Sequence, residues 1–304
     1  MSEWTQPRVA EARSPILDEA SAWRESRWWW DEDAVGKTTA MKDKPRAHPA
    51  QRSAPSRVAI VGATGGLGRA LAAIYSERGA EVLALARHQE KLHAMQGVAQ
   101  RIVVDLADPE SIAAAVRACG DVDIAVFATG CDVRKSLAAH ELADIDALLQ
   151  TNLRGPILLT RDLLGAVREG GCIAHLGGFG DGRLALPYYS VDVATRAGIA
   201  AFCESVTREC NAEGRDIVIS YLCPDPTDTE AERPFAKVWA EMGSKTVSVE
   251  HTAAFIVDAI ARRPWRASMS ATTKIATAIN ALAPAAADAV GLRAASAILR
   301  RAFG

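Results

Sequence analysis

The sequence predicts an α/β fold in which a doubly wound parallel sheet is covered by helices on both faces. From Arg57 onward, short apolar runs alternate with longer amphipathic segments, which is the pattern of successive strand–helix units. A glycine-rich turn joins the first apolar run to the first amphipathic segment. Residues 57–304 are long enough for one large domain of this class, and no internal repeat interrupts them.

Strands and helices are expected in alternation along this domain. Each strand is a short run rich in Val, Ile, Leu and Ala, and each helix carries apolar residues three or four positions apart. The predicted strands are 57–61, 81–86, 101–104, 123–128, 171–176 and 216–223. The predicted helices lie near 66–78, 88–95, 108–119, 140–168, 188–212 and 249–262.

Residues 1–56 have a different composition and are predicted to form a flexible arm. They are rich in Arg, Pro, Ser, Ala and acidic residues, lack a strand pattern, and end in a Pro- and Ser-containing linker. The arm contains three consecutive tryptophans, Trp28, Trp29 and Trp30. Tryptophan suits half-wet, half-apolar surfaces. The segment therefore either folds back on its own domain or subunit partner, or anchors another protein or a membrane interface.

The overall composition excludes several classes of protein. The formal net charge is −2, so nothing indicates nucleic-acid binding through bulk charge. No apolar run reaches the length of about 18 residues needed for a membrane span, and the polar N-terminus is not a secretory signal. The six cysteines include no C-x-x-C pair and no His/Cys cluster. We therefore expect free thiols, no metal site and a cytoplasmic location.

The glycine-rich turn predicts a dinucleotide-binding site. Such a turn lets phosphate approach the backbone, and the following helix N-terminus supplies unpaired N–H groups and a partial positive charge. The turn lies between an apolar strand and an amphipathic helix, as this mechanism requires. The expected cofactor-binding residues here are Gly62, Thr64, Gly65, Gly66, Leu67 and Gly68.

Further motifs follow in an order that resembles the short-chain dehydrogenase/reductase family over nearly all of residues 57–304. The resemblance implies a Rossmann-type fold, a nicotinamide cofactor, a small-molecule substrate and a homo-oligomer. It adds cofactor contacts at a strand end, at the turn after the fourth strand, and at a Pro-containing turn in which Asp225 replaces the family's glycine. These residues are Asp105, Leu106, Ala128, Thr129, Gly130, Pro224 and Thr229. Ordinary turn or capping roles remain alternatives for Asp105 and Thr229.

The end of the second strand indicates which dinucleotide is used. An acidic residue there would accept hydrogen bonds from the ribose hydroxyls and repel a 2′-phosphate. This strand instead ends in Ala86 and Arg87. A guanidinium pairs with phosphate through two charge-assisted bonds. Arg87 resembles the arginine of family members that prefer NADP(H), so NADP(H) is expected over NAD(H). A solvated Arg87 at the start of the next helix is the alternative.

The catalytic residues that the resemblance implies are only partly present. The family uses Asn, Ser, Tyr and Lys, and the Asn and Tyr positions match Asn152 and Tyr189. The Ser position falls on Gly178, or on Gly177 after a shift of one residue. The Lys position falls on Val193, or on Asp192 if Tyr188 is the aligned tyrosine. Substitutes could come from nearby residues, namely His175, Asp181, Arg183, Tyr188, Ser190 and Asp192. Of these, His175 is the candidate catalytic residue, with strand packing as its alternative. A helix bend or cap is the alternative role of Asn152, and plain helix packing that of Tyr189.

These losses favour carbonyl reduction over alcohol oxidation. Without Lys, the pKa of the tyrosine moves back toward about 10, which weakens it as a base but leaves it a proton donor. The sequence therefore predicts an NADP(H)-dependent oxidoreductase of a small carbonyl or hydroxyl compound. A redox-inactive dinucleotide-binding subunit and an isomerase or lyase that reuses the pocket remain open.

Two C-terminal segments have more than one interpretation. Phe235, Val238, Trp239 and Met242 share one helix face, as expected either of a substrate cover or of a core helix. Residues 268–304 form an Ala-rich stretch with a partial apolar stripe and several arginines. This stretch suits a dimerisation helix, a helix on a membrane surface, or packing on its own domain.

Overall fold

A computed structural model describes residues 55–304 except Asp181, and these residues form a parallel sheet flanked by helices. The arm expected at 1–56, with its tryptophans, lies outside the described residues apart from its last two positions. The strands are β1 (Arg57–Val61), β2 (Glu81–Ala86), β3 (Gln100–Val103), β4 (Val122–Phe127), β5 (Val167–Leu176), β6 (Val218–Cys223) and β7 (Arg266–Ser268).

The strand order is β3-β2-β1-β4-β5-β6-β7, and all neighbouring strands run parallel. The chain winds outward in one direction from β1 to β3, then returns to the other side of β1 for β4 to β7. The gap between the carboxyl ends of β1 and β4 is therefore a topological switch point, where open α/β sheets bind their ligands. The predicted doubly wound fold is confirmed.

Helices cover both faces of the sheet because the central strands are apolar on both sides. In β1, for example, Ala59 and Val61 pack into one core cluster, and Val58 and Ile60 pack into the other. The helices are α1 (Gly66–Glu77), α2 (Gln89–His93), α3 (Pro109–Cys119), α4 (Leu142–Leu149), α5 (Gly155–Leu163), α6 (Ser190–Ala212), α7 (Ala236–Glu241), α8 (Val249–Arg262), α9 (Ala271–Leu282), α10 (Pro284–Ala287) and α11 (Arg293–Phe303). Among the described residues, no helix is long and apolar enough to cross a bilayer.

The single helix predicted at 140–168 is wrong in its extent. The structure has α4, a π-helical turn at Gln150–Arg154, and α5, and β5 already begins at Val167. The π-helical turn adds a residue to the helical register, which leaves Asn152 7% exposed. β7 was not predicted because three residues are too few to display a strand period.

The C-terminal stretch packs on its own domain through α11. Leu299 is fully buried, and the Phe303 ring lies edge-on to Tyr189 with 5.9 Å between ring centroids. These residues belong to a third apolar cluster, separate from the two clusters that sandwich the sheet. Helix α9 instead leaves Ile275 and Leu282 exposed.

Candidate functional site

A cavity of about 1160 Å³ opens at the carboxyl ends of the strands, over the switch point. One end is lined by the glycine-rich turn after β1. The other end is lined by the start of α6 and by residues 228–243, called the lid segment below. The cavity therefore has the two parts that a dinucleotide site with an adjoining substrate site requires.

The glycine-rich turn is shaped by close backbone packing. Gly62 has φ +84°, and a Cβ there would come within 2.8 Å of the Ala128 carbonyl oxygen. A Cβ on Gly68 would collide with the Gly62 carbonyl oxygen. These two glycines shape the turn from behind, whereas Thr64, Gly65, Gly66 and Leu67 line the cavity. No side chain caps the N-terminus of α1 at Gly65, so its first N–H groups are available to an anion.

The opposite wall is built from the turns after β4 and β6. The structure brings the predicted residues Ala128, Thr129, Gly130, Pro224 and Thr229 to the cavity lining. The Thr229 methyl lies 3.5 Å from where a Cβ on Gly66 would be. The glycine turn and the β6 turn thus face each other closely, as two sides of one cleft.

Besides Gly62 and Gly68, three predicted cofactor residues lie away from the cavity lining. Arg87 is exposed at the end of β2, and its guanidinium is 3.4 Å from His88 Nε2. The Asp105 carboxylate accepts a hydrogen bond from Ala107 N at 2.9 Å, which is a local turn role. The buried side chain of Leu106 packs against Gly155.

Near the glycine-rich turn, two cations that were not predicted line the cavity. Arg69 follows the last glycine of the turn and hydrogen-bonds the Thr64 carbonyl oxygen. Lys91 projects from α2, which follows β2. Both lie in helices that follow the first two strands, as the glycine-rich turn and Arg87 do, so this end of the cavity carries positive charge. Their positions in the helices that follow β1 and β2 are the sequence signal that could have identified them.

The structure separates the two adjacent tyrosines. Tyr189 lines the cavity and precedes the first residue of α6, whereas Tyr188 adopts φ +66° and lies outside it. The Tyr189 hydroxyl is buried and has no hydrogen-bond partner among the described residues. Burial raises the pKa of Tyr189 above its ordinary value, with Arg134 opposing the rise. The tyrosine is therefore a phenol at neutral pH.

The position aligned with the family's lysine holds Val193, which also lines the cavity. The residue before it, Asp192, accepts hydrogen bonds from Asn152 Nδ2 at 3.2 Å and from Arg196 Nε at 2.9 Å. Arg196 Nη2 in turn donates to Asp132 at 2.8 Å. A chain of polar contacts therefore runs from Asn152 through Asp192 and Arg196 to Asp132, where the family has a lysine.

The side chains along this series of polar contacts differ in how firmly they hold their charge. Burial raises the pKa of Asp192 to about 6, with the Asp132 carboxylate adding to the rise and Arg196 opposing it. Burial acts against the Arg196 cation, but Asp192 and Asp132 outweigh it and hold the pKa of Arg196 above its usual value. Arg196 therefore keeps its positive charge, and Asp192 is the weaker acid of the two carboxyls.

Neither glycine at the family's serine position has room for a side chain. A Cβ on Gly178 would lie 2.9 Å from Arg196 Nε and 3.0 Å from its Cζ. A Cβ on Gly177 would collide with the Tyr221 hydroxyl. The missing side chain at either position is thus matched by a neighbour that fills its volume.

His175 is not brought to the cavity with Tyr189. It is 2% exposed in β5, stacks on Phe127 with ring centroids 4.2 Å apart, and has Nε2 2.9 Å from Thr160 Oγ1. Burial lowers the pKa of His175 to about 3. It is a neutral core residue, which is the alternative that the sequence left open, and it reaches only a void of about 20 Å³ behind Arg196.

The lid segment supplies an apolar wall and a polar fastening. Trp239 on α7 is 3% exposed and lines the cavity, and its Nε1 donates to Glu232 Oε1 at 2.5 Å. The remaining apolar residues of this wall are Phe179, Leu184, Leu186 and Val193. The segment combines both predicted interpretations, because it is packed into an apolar cluster and also covers the cavity.

The polar chain around Arg196 was only partly visible in the sequence. Tyr189, Asp192 and Arg196 are spaced i, i+3 and i+7, which places them on one helix face. That spacing could have identified Arg196. No local pattern connects Asp132 to α6, because the two are far apart in the chain and meet only through the fold.

A family model described as short chain dehydrogenase matches residues 56–238. The chain is 27% identical over 260 residues to a fatty acyl-CoA reductase of Mycobacterium tuberculosis, covering 81% of this chain and 84% of that protein. It is 29% identical over 187 residues to dehydrogenase/reductase SDR family member 7B of Bos taurus, covering 55% of this chain and 56% of the bovine protein. The match thus spans little more than half of the bovine relative.

Solved structures share the fold at low sequence identity. A short chain dehydrogenase from Burkholderia cenocepacia, crystallised with NADP, has a TM-score of 0.66 and 22% identity. The similarity covers 77% of this chain and 96% of that one. An actinorhodin polyketide ketoreductase crystallised with NADPH has a TM-score of 0.62 and 21% identity, covering 71% of this chain and 95% of that one.

Proposed function

This chain belongs to the short-chain dehydrogenase family, and we propose that it is an NADPH-dependent reductase of neutral, largely apolar carbonyl compounds. The observation that carries the proposal is the juxtaposition of a protonated Tyr189 with an apolar wall at one end of a cavity whose other end is a glycine-rich turn. Relatives named as reductases support the direction of the reaction.

The residues at the glycine turn fit a dinucleotide. Gly66 and Leu67 offer backbone N–H groups at an uncapped helix N-terminus, which suits a pyrophosphate. Arg69 and Lys91 line the same end, and Arg87 makes no ion pair with a described carboxylate. Arg87 in place of an acid at the end of β2, together with Arg69 and Lys91 on the cavity lining, favours the 2′-phosphate of NADP(H) over the free ribose of NAD(H). Two structural neighbours are NADP(H) complexes, which supports this choice.

Charge at the other end favours a neutral substrate. Two arginines, Arg134 and Arg196, are outnumbered by the three carboxyl groups that they contact, those of Asp132, Asp192 and Glu232. No excess positive charge is therefore left there to hold a carboxylate substrate. The aromatic and aliphatic wall adds apolar contact area and excludes water from the reacting carbon.

The chemistry follows from what these side chains can exchange. When bound, the reduced nicotinamide supplies a hydride. The carbonyl carbon accepts the hydride with its electron pair, the π electrons of the C=O bond move to oxygen, and that oxygen takes the proton of Tyr189. Water then reprotonates the tyrosine. Because its pKa is raised, Tyr189 serves as an acid and not as a base at neutral pH, so reduction is favoured over oxidation.

Asn152 is the proposed positioning residue of this site. Its amide donates to the Cys131 carbonyl oxygen at 2.8 Å and to Asp192, and it accepts from Cys131 N at 3.0 Å. All of these bonds are to protein groups, so it braces the turn after β4 against α6. His175 is assigned no proton transfer, because its ring is enclosed by the core.

A second candidate function is dinucleotide binding without turnover, as in a regulatory or assembly subunit. One observation favours it: the Tyr189 hydroxyl is buried, so a substrate reaches it only after the lid segment moves. If the lid segment stays closed, the protein binds the cofactor and does not reduce.

The test is NADPH oxidation against a panel of aliphatic and aryl aldehydes and ketones, with matched ω-carboxylates of the same chain length. We expect turnover of neutral members, weaker turnover of the carboxylates, and loss of turnover in Tyr189→Phe. Bound dinucleotide is identified in parallel by mass spectrometry of the purified protein. NADPH binding with no turnover on any carbonyl would favour the second candidate, and unchanged turnover in Tyr189→Phe would exclude Tyr189 as the acid.

A further inference from the structure

We infer that Arg196 is a catalytic hydrogen-bond donor to the substrate carbonyl oxygen, through a guanidinium that occupies the space above Gly178. The inference rests on the proposed carbonyl reduction. It assigns to a residue of α6 the contact that the family makes with a serine on the strand-end loop.

The first support is steric. A side chain at position 178 would meet Arg196 Nε and Cζ at 2.9 and 3.0 Å, so the guanidinium already fills that volume. The alternative position, Gly177, faces Tyr221, which is fully buried and does not line the cavity. Of the two groups that replace a serine side chain, only Arg196 can be reached by a substrate.

The second support is orientation. Tyr189 and Arg196 are two helical turns apart on one face of α6, and both line the cavity. Asp192 and Asp132 fix the guanidinium from two sides, through Nε at 2.9 Å and Nη2 at 2.8 Å. A donor held in this way requires little reorganisation when a substrate oxygen arrives.

The third support is available hydrogen-bonding capacity. A guanidinium carries five N–H groups, and the contacts to Asp192 and Asp132 use only Nε and Nη2. Nη1 has no partner among the described residues. The Arg196 side chain is 14% exposed and lines the cavity, whereas the Tyr189 hydroxyl is buried.

The fourth support is charge. As the hydride adds, negative charge develops on the substrate oxygen, and a fixed cation stabilises it more than a neutral hydroxyl does. Arg196 keeps its proton throughout, so the proton that neutralises the oxygen still comes from Tyr189. The arginine thus supplies the hydrogen bond of the absent serine, from a guanidinium whose charge is already offset by Asp192 and Asp132.

The experiment compares steady-state reduction of one neutral ketone by the full-length wild type and four variants. Arg196→Ala and Arg196→Lys test the donor. Gly178→Ser/Arg196→Ala restores a hydroxyl in the vacated volume. Arg208→Ala is the matched control, because it removes an exposed arginine from the same helix that is likewise paired with an acid four residues earlier.

We expect Arg196→Ala to lower kcat about 10²–10³-fold, the loss typical of a removed oxyanion donor, with the KM for NADPH changed less than threefold. The kcat of Arg196→Lys should lie between those of Arg196→Ala and the wild type. Gly178→Ser/Arg196→Ala should regain at least about tenfold in kcat, a recovery that a purely structural role of Arg196 would not give.

A separate readout tests the steric premise without catalysis. Gly178→Ala should lower the thermal unfolding midpoint of the wild type, and it should do so much less in an Arg196→Ala background. Additive changes in midpoint would overturn the premise. In the kinetic arm, an Arg196→Ala kcat within threefold of Arg208→Ala would overturn the inference while leaving the proposed function intact. A wild type that binds NADPH but reduces no carbonyl would overturn both.

Discussion

Arg134 and Glu232 form a buried ion pair, with 2.7 Å between Nη2 and Oε2, that fastens the lid segment to the loop after β4. Their side chains are 6% and 14% exposed. The guanidinium also lies 4.0 Å from the centre of the Phe235 ring, and Glu232 accepts from Trp239 Nε1. One carboxylate thus joins the cover of the cavity to its floor.

Removing Glu232 should therefore loosen the lid segment. Glu232→Ala removes the nearer of the two carboxylates that the buried Arg134 contacts and leaves Asp132 at 3.2 Å, so we expect a cost below the about 3–5 kcal/mol of a buried pair that is broken completely. We expect a lower unfolding midpoint and faster tryptic cleavage after Lys237. The control is Asp228→Ala, which breaks the exposed pair with Arg233 in the same segment and should cost less than about 1 kcal/mol. Equal effects of the two variants would mean that the ion pair does not fasten the segment.

Arg87 should decide the preference for NADPH. Because a charge-assisted hydrogen bond contributes about 1.5–3 kcal/mol, Arg87→Ala should weaken NADPH binding by about tenfold or more and leave NADH binding nearly unchanged. Fluorescence titration with both cofactors measures this. Arg117→Ala, an exposed arginine on α3, is the control and should change neither affinity. If the wild type binds NADH as tightly as NADPH, the assignment of NADP(H) is wrong.

Gly68→Ala should distort the glycine-rich turn. Its Cβ would collide with the Gly62 carbonyl oxygen, and overpacking of this kind costs about 1–3 kcal/mol. We expect a lower unfolding midpoint together with weaker dinucleotide binding. Gly165→Ala is the matched control, because a Cβ there meets no atom within 4 Å. Wild-type affinity in Gly68→Ala would show that the turn does not form part of the binding site.

His175 should make the fold sensitive to acid. Its pKa is lowered to about 3 in the folded state, against about 6.5 in an unfolded chain. Between these values the unfolded state binds the extra proton, so stability is complete above pH 6.5 and falls as the pH drops, by up to about 1.4 kcal/mol per pH unit. Between pH 7 and pH 4, the thermal unfolding midpoint should therefore fall more steeply with decreasing pH in the wild type than in His175→Gln. The exposed His93→Gln should keep the wild-type slope.

The sequence by itself determined the sheet, the glycine-rich turn and the position of Tyr189. Apolar runs of strand length and helical spacing are local signals, because they arise from residues within a few positions of each other. The glycines at 62 and 68 are required by one tight turn, so they too can be read without the rest of the fold. The absence of serine and lysine side chains at 178 and 193 is likewise a property of the sequence alone.

Only the tertiary structure decided what stands in their place. Arg196 of α6 lies beside Gly178, which follows β5, and beside Asp132, which follows β4. Glu232 contacts Arg134 although the two are far apart in the sequence. Such contacts depend on where the carboxyl ends of β4, β5 and β6 converge, which no local pattern encodes. The same packing encloses His175 in the core, because its neighbours Phe127 and Thr160 come from β4 and α5. The sequence specifies which chemical group each residue carries. How deeply that group is buried, and which groups it contacts, depend on segments that meet only when the chain has folded.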